Sequence, residues 1–185
     1  ESVNFEEVKL QAHEIWNETL SRIRVEDESE ENKTKFYTGL YHALLGRGLA
    51  SDVNGQYRMN KGGIGQIPLD ENDRPKHKHF NTDGMWGGFW NLSQLWSLVY
   101  PEQMSRYVQS NITFYKETGW LHDGVAAGTF TNGVCTNFQG LLIAATYNCG
   151  IRDFEVETGY EAAFKNEVDS IGRNTGNGKY DLNRF

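Results

Sequence analysis

A chain of 185 residues with 38% hydrophobic and 13% aromatic content can bury one core and suits a single domain over residues 1–185, which excludes disorder. A net charge of −7 and a pI near 5.2 exclude a nucleic-acid footprint, which needs clustered Lys and Arg. No apolar run approaches the roughly 18 residues that cross a bilayer, and the first residues have neither the basic start nor the apolar centre of a leader.

In chain order, Phe5, Val8, Ala12, Ile15, Trp16, Leu20 and Ile23 recur at spacings of three and four, which predicts one amphipathic helix to about Arg24. The acidic block Glu26, Asp27, Glu28, Glu30 and Glu31 reads as a solvated loop. A second set, Phe36, Tyr37, Leu40, Tyr41, Leu44 and Leu45, predicts a helix from about Lys33, closed by Gly46 and Gly48. These two helices should pack antiparallel.

The stretch Ser51 to Arg58 places Asn54-Gly55 between Val53 and Tyr57, a short-range hairpin signal. Residues 59 to 82 read as a long loop, of the length that loops with a function often have. A third helix is predicted from Gly84 to Tyr100 on Met85, Trp86, Phe89, Trp90, Leu95, Trp96 and Val99. Pro101 then opens a fourth that stops at Gly119. Within it Met104, Tyr107, Val108, Asn111, Ile112 and Tyr115 form the inward stripe, and Ser105, Arg106, Gln109 and Lys116 face out. A fifth helix covers about Val134 to Cys149 and a sixth about Val156 to Ile171. Helices joined pairwise suggest an all-α fold of stacked αα-hairpins with one short β-hairpin.

Cys135 and Cys149, on opposite ends of the fifth helix, would stand about 21 Å apart and cannot pair. Both read as small buried hydrophobes. The sequons at Asn17, Asn32, Asn91 and Asn111 read as chance matches. His77 and His79 alternate with Lys76 and Lys78, a pattern open to metal binding but more typical of a solvated basic patch. No G-x-S-x-G elbow or phosphate loop occurs.

The segments Phe5 to Ile23, Phe36 to Leu45, Ser51 to Arg58, the tryptophan-rich helix, Gly119 to Leu121 and Gly150 to Ala163 together resemble the catalytic (α/α)6 domain of glycoside hydrolase family 92. Its members are chiefly calcium-dependent, exo-acting α-mannosidases that invert anomeric configuration. The resemblance implies the first half of an (α/α)6 toroid, in a longer secreted or periplasmic chain that supplies the rest of the barrel and a β-domain. It also implies calcium, a glycan or oligosaccharide substrate, and a base and metal ligands that lie at least partly outside this chain; no metal ligand is assigned within it.

Family members carry Trp-Asp-Thr in the third helix, where this chain reads Trp86-Gly87-Gly88. Asp83, one turn earlier, is the candidate replacement for the sugar-hydroxyl contact; its alternative role is an N-cap. The general acid of the family would fall at Phe130, with Thr131 and Asn132 matching around it, and Asn132 is carried over as a substrate contact. Inversion needs an acid and a base about 6.5 to 9.5 Å apart, and phenylalanine can be neither. Asp123, beside the titratable His122, is the candidate substitute acid; its alternative is an Asx-turn before Gly124. Trp86 and Trp120 stand at element ends and could line a sugar subsite, whereas Trp96 belongs to the core. Two readings follow: part of an inverting exo-α-mannosidase, inert as these residues alone, or a non-hydrolytic carbohydrate-binding helical domain that lost its acid.

Overall fold

The structure is a computed structural model that describes residues 4–45, 48–60, 62–82, 84–122, 124–126, 129–130 and 137–169, with the backbone alone at Trp86, Ala126, Thr129 and Phe130. The described residues are mostly helical and fall into two compact units, Glu1–Gly46 and Arg47–Phe185.

The first unit is an αα-hairpin of α1 (Phe5–Leu20) and α2 (Glu30–Leu45). Asn4 caps α1 by accepting from the Glu6 amide at 3.1 Å. The helix ends three residues before the periodic series does at Ile23, because Ser21 closes the last turn through its hydroxyl on the Glu18 carbonyl. Helix α2 starts earlier than expected. Ser29 accepts from the Asn32 amide at 3.3 Å, and Glu30 and Glu31 occupy the first turn, where the helix dipole favours acids. Part of the acidic block is therefore a helix start. The two helices meet at Trp16 and Tyr41, with ring centroids 4.5 Å apart, and the Tyr37 hydroxyl donates to the Ile23 carbonyl at 3.1 Å.

In the second unit Asn54-Gly55 does turn the chain, with Gly55 at φ 82° and Ser51 bridging Tyr57. The regular strand pairing comes one step later. Strand β1 (Gln56–Arg58) pairs antiparallel with β2 (Ile64–Gln66), Tyr57 opposite Gly65. Part of the expected loop is thus strand. A Cβ on Gly65 would meet the Tyr57 ring at 2.5 Å, so the ring lies where only glycine leaves room. That ring is fixed by its hydroxyl, which donates to Glu117 Oε1 at 2.5 Å; burial, then Glu117, pushes its pKa up.

The third expected helix is broken into α3 (Met85–Gly88) and α4 (Leu92–Val99). Gly87 and Gly88 weaken it, and Asn91 leaves helical geometry at φ −147°. Helix α5 (Pro101–Thr118) begins and stops where the sequence indicates, with Gly119 at φ 79°. It is the axis of the unit and packs against α4, α6 (Phe138–Asn148) and α7 (Val156–Val168). Tyr107, Val108 and Ile112 are fully buried.

Ser105 and Gln109, expected to face out, are buried. The Ser105 hydroxyl donates to the Asp153 carbonyl. The Gln109 amide accepts from Glu155 N at 3.0 Å and donates to Glu155 Oε1 at 3.1 Å. These polar side chains hold the α6–α7 turn instead of meeting solvent. Cys149 is exposed, because it sits past the last turn of α6; Cys135 and the expected start of this helix at Val134 lie outside the described residues, as does Ile171.

Trp96 is core, 1% exposed, its ring edge-on to Tyr107 at 5.5 Å. Among the described residues no helix is long and apolar enough to cross a membrane.

Candidate functional site

The expected site draws on two connectors, one before α3 and one between α5 and α6. The structure joins their backbones. The amide of Thr82, the residue before Asp83, donates to the Val125 carbonyl at 3.0 Å. Val125 begins β3 (Val125–Ala126), which pairs antiparallel with β4 (Thr129–Phe130), so that Val125 stands opposite Phe130. This second two-residue hairpin has no sequence signature of its own. It brings the backbone beside Asp83 and the backbone at Phe130 to one place.

Asp83, Asp123 and Asn132 themselves lie outside the described residues, as does Thr131; Trp86 is described in its backbone only, within α3. Trp120 is half-buried just past the end of α5, and its amide donates to the Thr118 hydroxyl at 3.2 Å. One face of the indole is covered by Lys165 Nζ, 4.5 Å from the ring centroid, a cation–π contact. A sugar could use only the other face. His122 is half-buried.

A residue that sequence reading passed over organises this region. Asn166 on α7 is fully buried. Its Oδ1 accepts from Leu121 N at 3.2 Å, and its Nδ2 donates to Leu121 O at 3.0 Å and to Asn137 Oδ1 at 3.1 Å. Leu121 and Asn137 are the two ends of the connector, so one amide side chain clamps both. The signal in the sequence was weak: an Asn between Phe164 and Val168 on a helix otherwise read for its apolar stripe.

Among the described residues, the buried Thr82 hydroxyl and both amide atoms of Gln139, on the first turn of α6, have no hydrogen-bond partner. Trp90, part of the apolar set of the third expected helix, is 69% exposed. It lies edge-on to Phe138 at 5.7 Å, and Phe89 lies 5.2 Å from the same ring, because the break between α3 and α4 turns this indole outward. The result is an exposed aromatic surface at the start of α6.

The histidine pair does not form a metal site. His79 is buried between Tyr57 at 4.4 Å and Phe114 at 5.3 Å, whereas His77 turns its Nδ1 to the Lys78 carbonyl at 3.2 Å. Burial lowers the pKa of both, that of His79 to about 4. Among the described residues no group of three or more His, Cys, Asp or Glu side chains converges. The described residues therefore offer calcium no ligand set, and no step is derived through it.

No curated protein matches the chain. Solved structures do. A family 92 α-mannosidase of Bacteroides thetaiotaomicron in complex with mannoimidazole aligns with a TM-score of 0.81 at 20% identity, covering 93% of this chain and 22% of that one. A further structure of that enzyme aligns with a TM-score of 0.81 at 20% identity, over 92% and 22%. A family 92 inverting mannosidase of the same organism aligns with a TM-score of 0.72 at 24% identity, over 87% and 21%. These likenesses show a shared fold, part of the helical domain, and the chain spans about a fifth of the length of each. The model of the glycosyl hydrolase family 92 catalytic domain matches residues 1–184. With that match running almost end to end, on a helical fold shared with two mannosidases, the chain belongs to glycosyl hydrolase family 92.

Proposed function

We propose that this chain is the first part of the (α/α)6 catalytic domain of a secreted or periplasmic inverting exo-α-mannosidase, acting with calcium on α-linked mannose of glycans. The observation that carries the reading is the family match over residues 1–184. The remainder of the barrel, a β-domain, the catalytic base and the calcium ligands belong to parts of the enzyme outside these residues. Asp83, Trp86, Trp120 and Asn132 serve as sugar contacts, and Asp123 stands in for the acid.

The chemistry asked of these residues is limited. An inverting enzyme protonates the leaving oxygen with one carboxylic acid while a second carboxylate activates water. Asp123 would supply the first proton beside His122, and the clamp by Asn166 would keep its loop in register. The base comes from elsewhere, so residues 1–185 bind a sugar without cleaving it. With an aryl α-mannoside and calcium, this chain should show no turnover, and calcium-dependent release of the aryl group would overturn that statement. In the full-length enzyme Asp123→Asn should lower kcat by roughly 10²-fold or more, the typical scale of general-acid catalysis, with KM little changed.

A second reading, a carbohydrate-binding domain without hydrolysis, is favoured by Phe130 at the position where the resemblance puts the acid. It predicts that the full-length protein binds mannosides and that Asp123→Asn leaves both binding and a null turnover unaltered.

A further inference from the structure

We propose that the groove between residues 49–53, the segment 75–78 and the first half of α5 is an anion site, fitted to a phosphate or sulfate group. It is a cavity of about 360 Å³ whose lining includes Lys76, His77, Lys78 and Arg106, with Asp52 as its one acid. The chain as a whole carries −7, whereas this lining sets Lys76, Lys78 and Arg106 against Asp52.

Its cations are uncommitted. Lys9, Lys33, Lys35 and Lys116 each pair with a glutamate, whereas among the described residues Lys76, Lys78 and Arg106 make no ion pair. Lys76 and Lys78 are exposed, His77 is half-buried and His79 is buried. Backbone hydrogen bonds tie this segment and His79 after it to their neighbours. Lys76 N donates to Pro68 O at 2.9 Å, His79 O accepts from Ala50 N at 2.8 Å, and His79 N donates to the Ser51 hydroxyl at 3.2 Å. Arg106 approaches from α5 and is half-buried. A guanidinium fork presents paired N–H donors to a tetrahedral oxyanion, two ammonium groups add point charge, and a concave wall concentrates their field. His77 is neutral near pH 7, since burial lowers its pKa, and acts as a wall. Nothing in this site depends on mannoside chemistry.

The test is a titration of the whole chain at low salt and pH 7, followed by backbone amide shifts, with inorganic phosphate, glucose 6-phosphate and glucose as separate probes. Saturable shifts centred on residues 76–78 and 106 should appear with the two phosphates and not with glucose. Arg106→Gln should weaken binding roughly tenfold, the scale of one charge-assisted hydrogen bond, and Arg106→Lys should restore part of it. Equal affinity for the two phosphates would assign a free anion; tighter glucose 6-phosphate would assign an anionic substituent on a sugar. Should Arg106→Gln not fold, the double variant Lys76→Gln/Lys78→Gln, altered only at exposed side chains, decides in its place. Shifts spread evenly over all Lys and Arg positions, or undiminished affinity in a folded variant, would overturn the proposal.

Discussion

Helices α5 and α1 carry the same spacing of apolar residues, and they are buried very differently. In α5 Tyr107, Val108 and Ile112 have no accessible surface, whereas in α1 Phe5 is 73% and Ile15 62% exposed. The difference lies in neighbours. Helix α5 packs against α4, α6 and α7, whereas the partner of α1 within its own unit is α2 alone. Periodicity decides which face of a helix is apolar; the number of elements around it decides how much of that face leaves water.

The largest effect expected from this contrast is at Ile112, where Ile112→Ala should cost about 2–5 kcal/mol, the usual result of opening a cavity in a close-packed core. Urea denaturation would measure it, and a loss below about 1 kcal/mol would show that the centre of the unit can collapse.

Next comes acid sensitivity. His79 in the folded chain has a pKa of about 4, lowered chiefly by burial and then by His77, against about 6.5 when unfolded. Between those values the unfolded chain takes up a proton that the folded chain refuses, so stability falls as pH drops from about 6.5 toward 4 and is unaffected by this group above that window. The full loss is on the order of 3 kcal/mol. His79→Phe, which keeps an aromatic ring between Tyr57 and Phe114, should flatten the dependence of Tm on pH across the window.

A smaller loss, about 1–3 kcal/mol, is expected for Gln109→Ala, which leaves the Glu155 amide without its partner. Glu155 also pairs with Lys116, the Nζ lying 2.6 Å from Oε1. Burial alone would raise the carboxyl pKa, but Lys116, Gln109 and Thr158 outweigh it and lower it overall. This pair is half-exposed, so Lys116→Met should cost no more than about 1 kcal/mol, and less at high salt. The smallest effect is at the opposite pole of the comparison: Ile15→Ala in α1 should change stability by less than about 0.5 kcal/mol. A large loss there would show that the exposed stripe of α1 is covered in solution.

Much of the helical order was legible because it follows from local rules. Pro101 and Gly119 bound α5 as read, and Gly150 ends the α6 turn at φ 87°. What escaped was whatever depended on a distant partner. Gln109 and Ser105 read as solvent-facing since both are polar, yet each binds backbone more than 40 residues away. Trp90 belonged to the apolar set of one continuous third helix, yet the interruption at Gly87, Gly88 and Asn91 turns it outward. The site divides in the same way. The family resemblance pointed to the connectors near Asp83 and Phe130, but nothing local announced that Thr82 would bond to Val125 or that Asn166 would hold both ends of the later connector.

The sequence by itself determined the helical class, the bounds of α5, the Asn54-Gly55 turn and the family, since each rests on residue spacing, backbone preference or motif order within a short stretch. Only the tertiary structure decided which apolar stripes are buried, where the polar side chains of α5 go and which connectors meet. Burial and hydrogen bonding are properties of surroundings, and those surroundings are built from residues far apart in the chain.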